Sequence, residues 1–172
     1  MSKSKGNVVW AKDVIDKYGA DVTRLYLLMK NAPWDNLQFD YREVEVLIKK
    51  LSIIWNVYLF AYTYMQLDRF NPEQYPLKSI ENYLSLEDKW LLSRIQTLNK
   101  KVVESLRVGC VHDAARALLE FGIEDLSHVY IRSIKRKAWI EQTTNEKMAM
   151  YATLFYALEN YLKMLAIFTP YL

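Results

Sequence analysis

Residues 40–67 read DYREVEVLIKKLSIIWNVYLFAYTYMQL. Apolar side chains fall at Val44, Leu47, Ile48, Leu51, Ile54, Trp55, Tyr58, Tyr62 and Met65. Those steps of three and four residues draw one stripe down a helix of about seven turns. Asp40 is a good N-cap, and Glu43 three residues on completes the pattern of a capping box. Residues 51–67 carry no formal charge and form the best candidate for a membrane span. Ser52, Asn56, Thr63 and Gln66 interrupt them, and charged helical sequence precedes them, so the stretch reads as a buried helix.

The same period runs outward on both sides. Upstream, residues 11–18 form a short helix ended by Gly19, residues 20–30 continue at helical spacing, and residues 31–39 are a connection stopped by Pro33. Downstream, residues 69–85 hold Pro72 and Pro76 and form the longest loop. Ser85 caps a second long helix to Arg107, with Asp88 three residues on and Leu91, Ile95, Leu98, Val102 and Leu106 as its stripe. Gly109 breaks it. A third helix runs from 111 to about 140, with Val111, Ala115, Leu118, Gly122, Leu126 and Val129 on one face. Thr144 caps a fourth, lined by Met148, Tyr151, Leu154, Leu158, Leu162 and Leu165 and ended by Pro170. No segment alternates with a strand's period, and no internal repeat is visible. The expectation is an all-α fold: an up-down bundle of four long helices over residues 40–172, preceded by a loop and small helices over residues 1–39.

Composition agrees. Apolar residues make up 52% of 172, which excludes a disordered chain, and only 4 Gly and 4 Pro are too few turn-formers for a many-stranded sandwich. The lone Cys110 excludes an internal disulfide and a cysteine-based zinc site, has no evident base partner, and fits a reducing, cytoplasmic setting. No metal site is expected. Residues 1–10 lack the pattern of a signal peptide, and no membrane association is expected. A net charge of +3 leaves a nucleic-acid partner open, to be decided by how the charge is distributed. The abrupt apolar end, IFTPYL, leads us to expect further chain in a parent protein; the unit itself is expected to be a monomer.

Two segments carry chemistry. Ser2, Lys3, Ser4, Lys5, Gly6 and Asn7 put two ammonium groups and two hydroxyls in a bendable loop suited to phosphate, although the Walker spacing is absent. A solvated tail is the bland alternative. Further on, Arg132, Lys135, Arg136 and Trp139 stand at i, i+3, i+4 and i+7, with His128 one turn before. At about 100° per residue they share one side of the third helix, while Leu126, Val129, Tyr130 and Ser133 point to the other. Cations beside an indole suit the phosphates and splayed bases of unpaired RNA. The alternative is a solvated helix end whose cations complement the helix dipole. Trp55, Tyr58, Tyr62 and Tyr64 read as core packing, Trp90 as an interhelical anchor, and His112 as a first-turn residue. No paired-carboxylate site stands out.

Taken as text, MSKSKGNVV at 1–9, DVIDKYGAD at 13–21 and RLYLL at 24–28 resemble the end of the catalytic domain in class I aminoacyl-tRNA synthetases. The first of these looks like the KMSKS signature without its leading lysine. WNVYLF at 55–60, DKWLLSRIQTLNK at 88–100, DLSHVYIRSIKRKAW at 125–139, YATLFYAL at 151–158 and LAIFTPYL at 165–172 resemble the anticodon-binding domain of the isoleucyl members. Trp10-Ala11, His128-Val129, Ser133-Ile134 and Ile167 depart from that pattern. The resemblance implies an ATP-dependent ligase, using ATP and Mg2+, that attaches isoleucine to its tRNA through an aminoacyl-AMP. Lys3 would then stabilise charge on the ATP phosphates, and Ser2 and Ser4 would order the ATP loop. His128, Arg132, Lys135, Arg136 and Trp139 would meet the anticodon stem-loop. The HIGH signature is absent, so this chain alone is expected to be inactive, with no cofactor bound, and to need the remainder of the synthetase chain. A valyl or leucyl relative, or a helical protein-interaction module without RNA binding, are the alternative readings.

Overall fold

The computed structural model describes residues 8–172, and the described residues contain helices and turns but no strand. Helices α1 (Ala11–Tyr18) and α2 (Ala20–Lys30) form the lead-in, separated by Gly19 at φ +86°, a conformation that favours glycine. The first long helix is α3 (Tyr41–Leu67), and α4 (Leu86–Arg107) is the second. The third long run is continuous but changes its winding: α5 (Val111–Glu120), a wide π-helical stretch (Phe121–Ile131), then α6 (Arg132–Ala138). The fourth is α7 (Asn145–Leu165). The loop between α3 and α4 holds only two single 3₁₀ turns.

The caps follow local chemistry. The Ser85 hydroxyl accepts from the Asp88 N–H at 3.4 Å while Asp88 Oδ2 accepts from the Ser85 N–H at 2.9 Å, the expected capping box. Thr144 caps α7 by accepting from the Lys147 N–H at 3.2 Å. At α3 the expectation is half met. Asp40 accepts from the Arg42 N–H at 2.8 Å, but Glu43 does not reach back to the cap. Its carboxylate instead accepts from the Tyr26 hydroxyl at 2.9 Å and pairs with Lys30, so α2 has captured it.

One core runs through lead-in and bundle. It takes Leu25 and Tyr26 from α2, Val44, Leu47, Leu51, Ile54, Val57 and Ala61 from α3, and the predicted stripe of α4 as far as Val102. On α3 and α7 three residues of the expected stripes are exposed. Trp55 and Tyr62 are 58% and 67% exposed, because each stands about 100° round the helix from the buried Ile54 and Ala61. Leu162 is exposed on α7 for the same kind of reason. Among the described residues, no helix is long and apolar enough to cross a membrane.

The tightest approach is at Gly122, in the first turn of the wide stretch. A Cβ there would stand 2.5 Å from the Tyr161 hydroxyl and 2.8 Å from Ile54 Cγ1. Neither neighbour can retreat, since both side chains are buried and the Tyr161 hydroxyl donates to the Leu118 carbonyl at 3.0 Å. Gly122→Ala is therefore expected to destabilise the chain by about 1–3 kcal/mol through overpacking. The urea midpoint would fall with its m-value unchanged. The α2–α3 joint carries a pH dependence. Lys30, then Tyr26, hold the Glu43 carboxyl below its usual range. A lowered carboxyl stabilises the fold above its ordinary value of 4.5, and that stabilisation is lost as pH falls through the folded value. Glu43→Gln should thus lose less stability than the parent chain between about pH 5 and pH 3, measured by denaturation at each pH.

Candidate nucleic-acid interface

The third long run fixes the predicted face. Tyr130, Ile134 and Ala138 are buried, so the intervening residues of α6 point outward. His128, Arg132, Lys135, Arg136 and Trp139 are all exposed, and the last four span about 100° of α6. Leu126 and Tyr130 point inward as expected, but Val129 is 48% exposed and Ser133 is exposed too. The wide stretch closes i→i+5 hydrogen bonds and winds more loosely than 3.6 residues per turn. A count at 100° per residue therefore drifts across it.

The five side chains are not equivalent. His128 Nδ1 lies 3.1 Å from Glu124 Oε2, so that imidazole has a partner on its own element. Lys135 Nζ sits 4.9 Å from the centre of the Trp139 ring. The Trp139 indole N–H donates to the Tyr64 hydroxyl of α3 at 2.5 Å, while the ring stays 57% exposed. One edge of the indole is thus anchored and the rest is presented to solvent. Among the described residues, neither Arg132 nor Arg136 has an ion pair or a hydrogen-bonded side chain. Lys137 leans toward α4, where its charge contributes to lowering the Glu87 carboxyl, after that group's own backbone N–H and Ser85.

Other arginines are used structurally. Arg94 grips Asp125 Oδ2 through Nε at 3.0 Å and Nη2 at 2.7 Å. Arg116 donates to the Met29 and Lys30 carbonyls at 2.9 and 2.7 Å, closing the C-terminal end of α2. Arg116 also lines a groove of about 420 Å³ with Lys30, Arg42 and Lys50, beside Glu43, the partner of Lys30. Sequence reading found no local signal of this largely basic groove, because its members come from three elements. It also missed Tyr64 as the partner of Trp139, since nothing in either local pattern joins residues 75 positions apart.

The remaining candidates stand as follows. Ser2, Lys3 and Ser4 lie outside the described residues. Cys110 is half-buried and unbonded to another cysteine. His112 begins α5 with its ring edge-on to Trp34 at 5.9 Å. Trp90 packs against the core. Among the described residues, no three His, Cys, Asp or Glu side chains are placed to hold a metal ion.

The helical bundle also has counterparts among known families. Residues 88–172 match the family described as the anticodon-binding domain of tRNA ligase, and residues 1–40 match class I tRNA synthetases of the I, L, M and V group. The chain belongs to the class I tRNA synthetases, and its residues 88–172 to their anticodon-binding domain family. Within that class its likeness is to isoleucine–tRNA ligases. It is 44% identical to that of Methanopyrus kandleri over 99% of the chain. It is 45% identical to that of Methanosarcina barkeri and 46% to that of Pyrobaculum aerophilum, each over 100% of the chain. The chain spans 16–18% of the length of these relatives.

The unpaired arginines have a measurable consequence for the fold alone. Arg132→Gln and Arg136→Gln should each leave stability within about 0.5 kcal/mol of the parent chain, because no ion pair or side-chain hydrogen bond is lost. By contrast, Arg94→Gln should cost more, since it frees Asp125 from a two-point grip. Thermal melts of the three variants check this ranking.

Proposed function

We propose that residues 40–172 bind the anticodon stem-loop of an isoleucine-accepting tRNA, as part of an ATP-dependent ligase that joins isoleucine to that tRNA. The observation that carries this is the pair Arg132 and Arg136. They are exposed, make no ion pair or side-chain hydrogen bond among the described residues and precede a half-exposed indole on one face of a bundle of the anticodon-binding family. Guanidinium groups left free in this way suit phosphate oxygens, and an aromatic plane beside them suits an unstacked base. Lys135 lies on the same face between the two arginines, and His128 extends it by one turn toward the N-terminus.

Residues 1–39 act as the joint to a catalytic domain, a reading supported by the class I match over residues 1–40. Within the parent enzyme Lys3 stabilises charge on the ATP phosphates, and Ser2 and Ser4 order the loop. The rest of the active site, including the HIGH signature and whatever holds Mg2+, comes from the parent chain; the two histidines here, His112 and His128, are not in such a motif. The unit works as a monomer in the cytoplasm.

Titration against an isoleucine-accepting tRNA and one with an unrelated anticodon, at two salt concentrations, tests the reading. Affinity should fall with salt, and Arg132→Gln and Arg136→Gln should each reduce the log–log salt slope by about one. Preference for the first tRNA supports an anticodon reader. Equal binding to both leaves RNA recognition without anticodon specificity. Variants that bind as the parent does would remove this face from the function.

A further inference from the structure

The residues that follow Trp139 are held by a buried network that the RNA face does not include. Lys147 stands in the first turn of α7 and is only 4% exposed. Both circumstances disfavour a cation: the positive end of the helix dipole is nearby, and water is excluded. Asp68 offsets this, with its Oδ2 2.5 Å from Lys147 Nζ. The Tyr151 hydroxyl donates to the same oxygen at 2.5 Å, and burial, followed by that hydrogen bond and the Asp68 charge, pushes the hydroxyl above its usual range. Lys147 Nζ also donates to the Ile140 carbonyl at 2.6 Å.

The connectivity gives this network a direction. Asp68 caps α3, and its backbone N–H bonds to the Tyr64 carbonyl one turn earlier. Tyr64 is the residue whose hydroxyl takes the Trp139 indole N–H. Two consecutive residues, Trp139 and Ile140, are therefore tied to the last turn of α3. One tie is direct, and the other passes through the Lys147 ammonium. The Ile140 side chain is exposed, so its own burial does not hold it in place. A buried ion pair is weak evidence for stability, since apolar replacements are often neutral or stabilising. Its contribution here is orientation.

We infer that Lys147 and Asp68 are positioning residues for RNA recognition, setting the angle at which Trp139 is presented. The inference rests on the reading of Arg132–Trp139 as the RNA face, and it adds two residues that touch neither that face nor any ligand. They act through Trp139, so their effect on RNA binding should vanish when Trp139 is absent.

A double-mutant cycle on the whole chain tests this, with an isoleucine-accepting tRNA as probe. One arm is the paired variant Lys147→Met with Asp68→Asn, which removes the ion pair without stranding a buried charge. The other arm is Trp139→Ala. Circular dichroism and the urea midpoint confirm folding. The paired variant should bind RNA about five- to tenfold more weakly with an unchanged salt slope, because no phosphate contact is lost. In the Trp139→Ala background the same pair should change affinity less than about twofold. Equal losses in both backgrounds would overturn the inference, as would a folded paired variant that binds normally, or a slope reduced by about one. If the paired variant does not fold, Lys147→Gln with Asp68→Asn enters the same cycle, since it buries no charge and keeps polar partners for Tyr151 and the Ile140 carbonyl. Failure of the underlying reading looks different. There the parent chain binds no RNA, or Trp139→Ala costs nothing, and the positioning role falls with it.

Discussion

The carboxylate of Asp88 is the constraint on which the bundle turns. It is 1% exposed and lies in the first turn of α4. One oxygen accepts from the Ser85 N–H and hydroxyl at 2.9 and 2.8 Å; the other accepts from the Tyr130 hydroxyl at 2.6 Å. That hydroxyl also reaches the Met150 carbonyl of α7 at 3.3 Å. Burial and the neighbouring carboxylate both push the Tyr130 hydroxyl well above its usual range, so it stays a donor. A charge buried so completely is tolerated only while each of its partners is in place. The start of α4, the end of the wide stretch and the second turn of α7 must therefore meet at one point. Because Tyr130 faces inward there, Arg132 and Arg136 face outward.

From that point the division of labour among cations follows. Arg94 and Arg116 close helix contacts and helix ends. Lys30 is bound to Glu43, and Lys147 lies under the surface. Arg132 and Arg136 have no such duty, and they stand on the element whose roll the buried Tyr130–Asp88 contact sets. The functional reading depends on this contrast more than on the total charge of the chain, which is close to neutral.

Much of this was legible in the residues, and the limits have physical causes. The helices, their breaks at Gly19 and Gly109, and the caps at Asp40, Ser85 and Thr144 are local events, written within a few positions of chain. The outward set from Arg132 to Trp139 was also legible, because α6 keeps ordinary winding. Val129 and Ser133 were misplaced because the segment before them does not. Trp55 and Tyr62 were misplaced because α3 is apolar around more than one face, and periodicity cannot choose between faces. Glu43 left its capping box for partners on another helix. Tyr64, Asp68 and Lys147 gave no local signal at all, since their roles exist only once α3, α6 and α7 have come together.

The wide stretch from Phe121 to Ile131 has a consequence of a different kind. It works like a gearwheel with an unusual tooth count, set between two rods that keep their own pitch. Upstream, Leu118 and Gly122 are engaged with Tyr161 and Ile54. Downstream, Tyr130 is engaged with Asp88. The number of residues between these engagements, and not their individual chemistry, sets the rotational phase between α5 and α6. A chain one residue shorter in this interval could keep both engagements only by tightening to the ordinary pitch, whereas substitution of the exposed positions leaves the phase untouched. In this part of the molecule, length is itself a form of information, separate from the identity of the side chains.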